Sequence, residues 1–110
     1  MASPNLFSID LEDWFHLLDT AAAPALSTWA DQEARVETNA GRLLDVLEQA
    51  NVRCTFFVLG WIAEQYPALL QRIADAGHEI ASHGYAHGLI YQQTPQEFRD
   101  DLRRANDAIE

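Results

Sequence analysis

The feature that most constrains the fold is an alternation of short apolar runs with stretches of helical periodicity. The apolar runs cover residues 6–9, 52–59 and 78–82, and a long loop with a helical turn is expected over residues 14–30. The run at 52–59 is β-rich and almost continuously apolar, which predicts a central parallel strand covered on both faces. Strands that alternate with helices form parallel sheets with right-handed crossovers. The chain is therefore predicted to adopt an α/β fold of order βαβαβα.

Three stretches carry the helical signals. Residues 33–50 place most of their apolar side chains on one face. After a helical turn at 62–66, a second helix begins at Pro67 and is expected to end at Gly77. The sequence Thr-Pro-Gln-Glu at residues 94–97 predicts a capped helix start, and apolar residues recur at helical spacing beyond it. Each helix thus follows one of the apolar runs.

Composition limits the classes of function. With 110 residues, the chain forms at most one small domain. It has 17 acidic residues against 7 basic ones, all of them arginine, for a net charge of −10. Nucleic-acid binding and anionic-membrane binding need basic patches, so neither is expected. The sequence shows no signal-peptide pattern and no apolar run long enough to span a membrane, which predicts a cytoplasmic location.

Two polar clusters follow the first and third predicted strands. Asp10, Glu12 and Asp13 follow the first strand, and His83 and His87 follow the third. The carboxyl ends of parallel strands share one edge, so the topology places both clusters on the same rim. Two imidazoles and a carboxylate can bind a metal ion and leave positions open for water. The clusters predict a catalytic divalent metal site of a hydrolase.

The residues alone leave the carboxylate ligand open. Asp10 and Glu12 share a face if the strand continues, whereas Asp13 can swing inward if the strand ends at Asp10. Both Glu12 and Asp13 therefore remain candidates. A further carboxylate beside the metal can accept a proton from the bound water.

The residues that flank the clusters have weaker signals. Trp14 and Tyr85 are candidates for stacking on sugar rings, although the pattern slightly favours Trp14 as a residue that closes the end of the core. His16 has no obvious partner and is interpreted as incidental, and His78 is interpreted as structural or exposed. The single cysteine, Cys54, lies in an apolar run and is predicted to be a small buried hydrophobe.

Three segments resemble one family. The opening Ser-Ile-Asp-Leu-Glu-Asp-Trp-Phe at 8–15 is similar to a subgroup form of a motif that more commonly reads Thr-Phe-Asp-Asp-Gly. Residues 55–60 resemble the family's second strand, and residues 76–87 resemble its second motif, which is the most specific of the three. On these segments the chain resembles the NodB-homology polysaccharide deacetylases, carbohydrate esterase family four. Its opening is similar to the subgroup found with bacterial exopolysaccharide and exosortase loci.

The resemblance implies a fold, an activity and roles for residues. The fold would be the N-terminal part of a distorted (β/α) barrel, and the activity would be the removal of N-acetyl groups from an amino-sugar polysaccharide, an exopolysaccharide or a peptidoglycan-like polymer. Asp10 corresponds to the catalytic base, and His83 and His87 correspond to metal ligands. The third ligand would be Asp13, with Glu12 as the alternative. The family's ion is usually zinc, sometimes cobalt or nickel.

The resemblance also sets an expectation about extent. In the family, two motifs come after the third βα unit. One is a Leu-x-x-His motif whose histidine acts as the general acid, and the other is an arginine motif that orients the base. Residues 1–110 are therefore expected to be the N-terminal portion of a single deacetylase domain. Two alternatives remain: a non-catalytic carbohydrate-binding protein of the same fold, and a metal-free amide hydrolase of the same superfamily. The histidine pair argues against the second.

Overall fold

The structure is a computed structural model, which describes residues 3–17 and 21–110. Three parallel strands form one sheet in the order β1-β2-β3, with bounds β1 Ser8–Leu11, β2 Thr55–Val58 and β3 Glu79–Ser82. The α-helices are α1 Val36–Gln49, α2 Gly60–Gln65, α3 Pro67–Asp75 and α4 Pro95–Ile109. Helix α1 connects β1 to β2, α2 and α3 connect β2 to β3, and α4 follows β3. The parallel α/β order predicted from the sequence is confirmed.

The predicted loop between β1 and α1 contains a short 3-10 helix, Leu26–Asp31, and a second one, Ile90–Gln92, precedes α4. Residues 18–20 of that predicted loop lie outside the described residues. Trp29 in the first 3-10 helix is buried against the core, so this segment helps to close the end of the sheet.

One face of the sheet is covered and the other is open. Phe56 and Val58 of β2 are fully buried and share a core cluster with residues from all four α-helices. The alternate side chains Thr55 and Phe57 are only half-buried, and Asp10 beside Phe57 is exposed. The expectation that β2 is covered on both faces is therefore wrong for the described residues. Alternation along the strand sends only every second side chain toward the helices.

Local signals place the helix ends where the sequence predicted them. Thr94 Oγ1 accepts a hydrogen bond from Glu97 N at 3.1 Å, and Glu97 Oε2 accepts one from Thr94 N at 2.6 Å, which completes the capping box of α4. Gly77 follows α3 and has φ +89°, the left-handed backbone conformation that commonly ends an α-helix. No helix in the described part of the chain is both long enough and apolar enough to cross a membrane.

Cys54 and His78 form a buried pair at the opposite end of the sheet from the predicted site. His78 Nδ1 accepts a hydrogen bond from Cys54 N at 3.1 Å. Burial raises the pKa of the Cys54 thiol, which keeps it protonated and unreactive. Both residues are therefore structural, as the sequence indicated.

Candidate metal centre

Three side chains from the two polar clusters converge at the carboxyl edge of the sheet. Glu12 follows the last residue of β1, and His83 follows the last residue of β3. Glu12 Oε1 lies 2.9 Å from His87 Nε2 and 3.3 Å from His83 Nδ1. The ligand atoms of all three residues lie within 4.8 Å of one another, and the three side chains are half-buried. The parallel topology therefore brings the two clusters together on one rim.

The protonation of His87 is set by its surroundings. His87 Nδ1 lies 2.5 Å from the backbone carbonyl oxygen of His16. A carbonyl oxygen only accepts hydrogen bonds, so Nδ1 carries the proton. In the neutral ring the lone pair of Nε2 then points at the carboxylate of Glu12, 2.9 Å away. Two acceptors at this distance repel each other unless a cation or a second proton lies between them.

The donor set fits a divalent cation. His83 Nδ1 is buried and makes no hydrogen bond within the described residues, although it lies 3.3 Å from Glu12. Ligand atoms in a tetrahedral zinc site are on the order of 3.3 Å apart, because each lies about 2.0–2.1 Å from the metal. Two imidazoles and one carboxylate suit zinc, cobalt or nickel. A cation at this point would bind the half-buried carboxylate of Glu12 together with both rings.

The loop that carries the histidines, residues 83–89 (the histidine loop), is fixed to the elements below it. Its backbone makes three hydrogen bonds with the backbone of β2 and α2 and the residues between them: His83 N to Val58 O, Gly60 N to Gly84 O, and Trp61 N to Tyr85 O. The first extends the pairing of β3 with β2, and the other two satisfy N–H groups at the start of α2. Gly84 has φ +74°, a conformation that suits glycine, whereas His87 has φ +60° despite its side chain. The loop therefore presents both imidazoles from a rigid base.

The structure does not bring Asp13 to the histidines. Asp13 is buried, and its Oδ2 accepts hydrogen bonds from Arg35 N at 2.8 Å and Val36 N at 2.9 Å. Its Oδ1 accepts one from Trp14 N at 2.8 Å. The carboxylate thus satisfies the free N–H groups at the start of α1, where negative charge is favoured. In this structure Asp13 therefore lies away from the histidines, and the alternative carboxylate, Glu12, lies beside them.

Asp10 and Trp14 lie beside the centre without joining it. Asp10 is an exposed residue of β1, and with Glu12 and Trp14 it lines an open surface cavity of about 290 Å³. Trp14 is 45% exposed, and its Nε1 donates to Glu33 O at 2.8 Å, which fixes the indole plane. Both side chains are therefore accessible from the solvent near Glu12.

Tyr85 is covered by protein rather than open to a ligand. The residue is 6% exposed, and its ring lies under the Arg104 guanidinium, whose Cζ is 3.7 Å from the ring centroid. Its hydroxyl donates to Glu64 Oε2 at 2.7 Å. Burial, together with Glu64, raises the pKa of Tyr85 to about 12. The structure thus buries the ring that was predicted to bind substrate, and this ring joins the histidine loop to α2 and α4.

His16 is a residue that the sequence reasoning missed. It is fully buried, and its Nδ1 accepts a hydrogen bond from Asp13 N at 2.7 Å. Its carbonyl oxygen accepts the hydrogen bond from His87 Nδ1. Burial in apolar surroundings lowers its pKa to about 4, and the charge of Asp13 opposes this effect only in part. The available signal was its position directly after the acidic cluster and the aromatic pair Trp14 and Phe15.

A second cavity adjoins the histidines on the side of α4. It has a volume of about 540 Å³, and His83 and His87 form one wall. The lining also includes the apolar side chains of Leu89, Phe98 and Leu102. The candidate centre therefore lies between an open acidic cavity near β1 and an apolar cavity near α4.

The fold and the site together define a parallel α/β protein with a two-histidine, one-carboxylate centre at the carboxyl edge of its sheet. Residues 19–110 match the family model described as polysaccharide deacetylase. The chain belongs to the polysaccharide deacetylase family. Its resemblance to NodB-homology deacetylases, expected from residues 8–15, 55–60 and 76–87, is thereby confirmed.

Related sequences include deacetylases of two kinds. The chain is 37% identical over 68 residues to a peptidoglycan-N-acetylglucosamine deacetylase of Bacillus cereus, covering 62% of this chain and 25% of that protein. It is 39% identical over 67 residues to a chitooligosaccharide deacetylase of a Bradyrhizobium species, covering 61% of this chain and 31% of that protein. The chain thus spans about a quarter to a third of the length of these relatives.

Solved structures show the same fold. A putative polysaccharide deacetylase from Mycobacterium smegmatis matches all of this chain and 41% of its own, with a TM-score of 0.77 and 31% identity. A family 4 carbohydrate esterase from Streptomyces lividans, in complex with acetate, matches 70% of this chain and 39% of its own, with a TM-score of 0.62 and 31% identity. These likenesses confirm the fold class expected from the sequence.

Proposed function

We propose that this protein removes N-acetyl groups from an amino-sugar polysaccharide, using a divalent metal ion held by Glu12, His83 and His87. The convergence of these three side chains at the sheet edge is the observation that carries the proposal. The relatives named for peptidoglycan and chitooligosaccharide deacetylation support the substrate class. Zinc is the proposed ion, with cobalt or nickel as alternatives. Residues 1–110 are proposed to belong to a single deacetylase domain.

The chemistry needed is hydrolysis of an acetamide. A divalent ion at this centre would polarise the acetyl carbonyl and lower the pKa of water. We assign Asp10 as the base that takes the proton of the attacking water, because its carboxylate is exposed and lines the same cavity as Glu12. Water supplies the oxygen of the acetate, the amide C–N bond breaks, and the amine takes up a proton.

Trp14 is proposed to position the sugar. Its indole is partly exposed above the cavity that Asp10 and Glu12 line, and the Glu33 carbonyl and the nearby Arg35 guanidinium hold its plane. An exposed aromatic face offers a flat apolar surface for a sugar ring. Tyr85 has no part in this binding, because its ring is buried.

The opening motif supports a narrower proposal about the polymer. The Asp-x-Glu-Asp-Trp form at residues 10–14 is similar to that of exopolysaccharide-associated deacetylases, which favours a bacterial exopolysaccharide as the substrate. A peptidoglycan-like polymer is the alternative. Acetate released from each polymer under identical conditions separates the two, since a preference for peptidoglycan would contradict the narrower proposal.

Release of acetate from N-acetylglucosamine oligomers tests the function. Asp10→Asn should lower the rate on the order of 10²–10⁴-fold, as expected for loss of a general base. Asp107→Asn removes an equally exposed carboxylate on α4 and should leave the rate unchanged. Unchanged release in Asp10→Asn would remove Asp10 as the base.

Two other outcomes identify the competing functions. Oligomer binding without acetate release from the zinc-loaded protein would indicate a non-catalytic carbohydrate-binding protein. Full activity after chelation and removal of metal would indicate a metal-free amide hydrolase of the same fold. Either result would overturn the proposed function.

A further inference from the structure

We propose that His16 is a positioning residue, whose buried ring fixes a turn that aims the His16 carbonyl at His87 and so presents His87 Nε2 to a cation. The proposal rests on the proposed metal centre. It assigns a task to a residue that contributes no ligand atom.

The His16 carbonyl contacts the ring of His87. The His16 carbonyl accepts a hydrogen bond from His87 Nδ1 although the two residues are 71 positions apart. Metal-binding histidines usually donate their second ring N–H to a carbonyl or carboxylate, which fixes the tautomer and the ring orientation. Here the contact leaves Nε2 free on the side of Glu12, at 2.9 Å. His16 therefore determines which nitrogen of His87 faces the centre.

The backbone of His87 adopts a left-handed conformation. Its φ of +60° is uncommon and unfavourable for a residue with a side chain. Such a conformation persists only where surrounding contacts hold it. The hydrogen bond to the His16 carbonyl is a contact of this kind, because it joins the histidine loop to the segment that follows β1.

A turn and the packing of the imidazole ring hold the His16 carbonyl in place. His16 N donates to Asp13 O at 3.2 Å, and Asp13 N donates to His16 Nδ1 at 2.7 Å, so the two residues close a turn reciprocally. The ring is packed among aromatic side chains, with centroids 4.5 Å from Phe15, 4.5 Å from Trp29 and 5.1 Å from Trp61. Rotation of the ring would break this packing. The turn and the carbonyl are thus set by the imidazole.

A histidine at position 16 offers a hydrogen-bond acceptor that a phenylalanine lacks. His16 Nε2 is buried without a hydrogen-bond partner in the described residues, which is unfavourable relative to an apolar ring. A phenylalanine would pack in the same aromatic surroundings without this penalty. The feature that a phenylalanine lacks is the acceptor at Nδ1, which holds Asp13 N.

Two variants separate the acceptor from the packing. His16→Phe keeps an aromatic ring and removes the acceptor, whereas His16→Asn places an amide oxygen near the position of Nδ1. His78→Phe is the matched control, because His78 is also buried and also accepts a backbone N–H through Nδ1, yet lies beside Cys54, away from the centre. Circular dichroism establishes that each variant is folded.

The first readout is the tautomer of His87 in the metal-free protein, measured by ¹⁵N NMR at about pH 9, where histidine is ordinarily neutral. The wild type, His16→Asn and His78→Phe should show the proton on Nδ1, and His16→Phe should lose this preference. A wild-type His87 protonated on Nε2 would overturn the proposal, whatever the variants do.

The second readout is zinc affinity by isothermal titration calorimetry. His16→Phe should bind zinc about 10–100-fold more weakly, as expected for loss of a partner that orients a ligand, and His16→Asn should recover most of the loss. Wild-type affinity in a folded His16→Phe protein would overturn the proposal. If the wild type binds no zinc, the proposed function fails, and the tautomer alone decides whether His16 positions His87.

Discussion

At the scale of single residues, two neighbouring carboxylates have different tasks. Glu12 remains half-buried at the rim and faces both imidazoles. Asp13 turns away and accepts hydrogen bonds from three backbone N–H groups, two of which belong to the start of α1. Moving Asp13 to the histidines would leave those donors without this partner, and for the buried N–H of Val36 the loss is unfavourable by about 1–3 kcal/mol. Two adjacent residues just beyond the end of β1 therefore serve as a candidate ligand and as a helix cap.

His16 should make the stability of the protein depend on pH. Its pKa is about 4 in the folded state, against 6.5 for an ordinary histidine. The unfolded chain therefore binds a proton between these values that the folded chain does not, so stability falls as pH drops from 6.5 toward 4. The expected loss is on the order of 3 kcal/mol in the free energy of unfolding. Urea denaturation across this range measures it.

His16→Phe provides the control for this dependence. The other acidic and histidine side chains titrate in both proteins, so the difference between the two stability curves isolates His16. The variant should lose less stability than the wild type between pH 6.5 and 4. Parallel curves would contradict the assignment of a buried, neutral His16.

At the scale of elements, α2 and α4 hold the histidine loop through a close crossing at Gly60. A Cβ at this position would lie 2.8 Å from the Tyr85 ring and 2.9 Å from the backbone of Ala105. Tyr85 in turn bonds Glu64 of α2 and lies under Arg104 of α4. The missing side chain of Gly60 therefore lets both helices pack directly beneath the loop that carries His83 and His87.

Gly60→Ala should destabilise the fold by about 1–3 kcal/mol, because neither the Ala105 backbone nor the buried Tyr85 ring can move freely. Gly41→Ala is a suitable control, since its added Cβ would meet only the end of the flexible Arg72 side chain. In the interior of α1 that change should be neutral or stabilising by up to about 1 kcal/mol. Equal urea midpoints for the two variants would contradict the close crossing.

At the scale of the whole molecule, the sequence predicted what depends on local pattern. The order of strands and helices and the capping box at residues 94–97 follow from periodicity and spacing within short segments. Strand order then placed the acidic cluster and the histidines on one rim. These features required no knowledge of which distant residues touch.

The remaining features depend on contacts between distant segments. The fate of Asp13 is decided by the start of α1, 22 residues away, and the contact of His16 with His87 spans 71 residues. The burial of Tyr85 depends on α4, and the open face of β2 depends on which side the helices occupy. Periodicity within a single segment carries no information about such contacts.

The central claim is that Glu12, and not Asp13, completes a metal site with His83 and His87. Zinc titration of the wild type, Glu12→Gln and Asp13→Asn by calorimetry tests it most directly, with circular dichroism showing that each protein is folded. Glu12→Gln should weaken binding more than the roughly 10–100-fold expected for loss of an orienting partner. Asp13→Asn should keep affinity within a few-fold while lowering stability by about 0.5–2 kcal/mol, as for a weakened helix cap. Wild-type affinity in Glu12→Gln together with lost affinity in Asp13→Asn would contradict the claim.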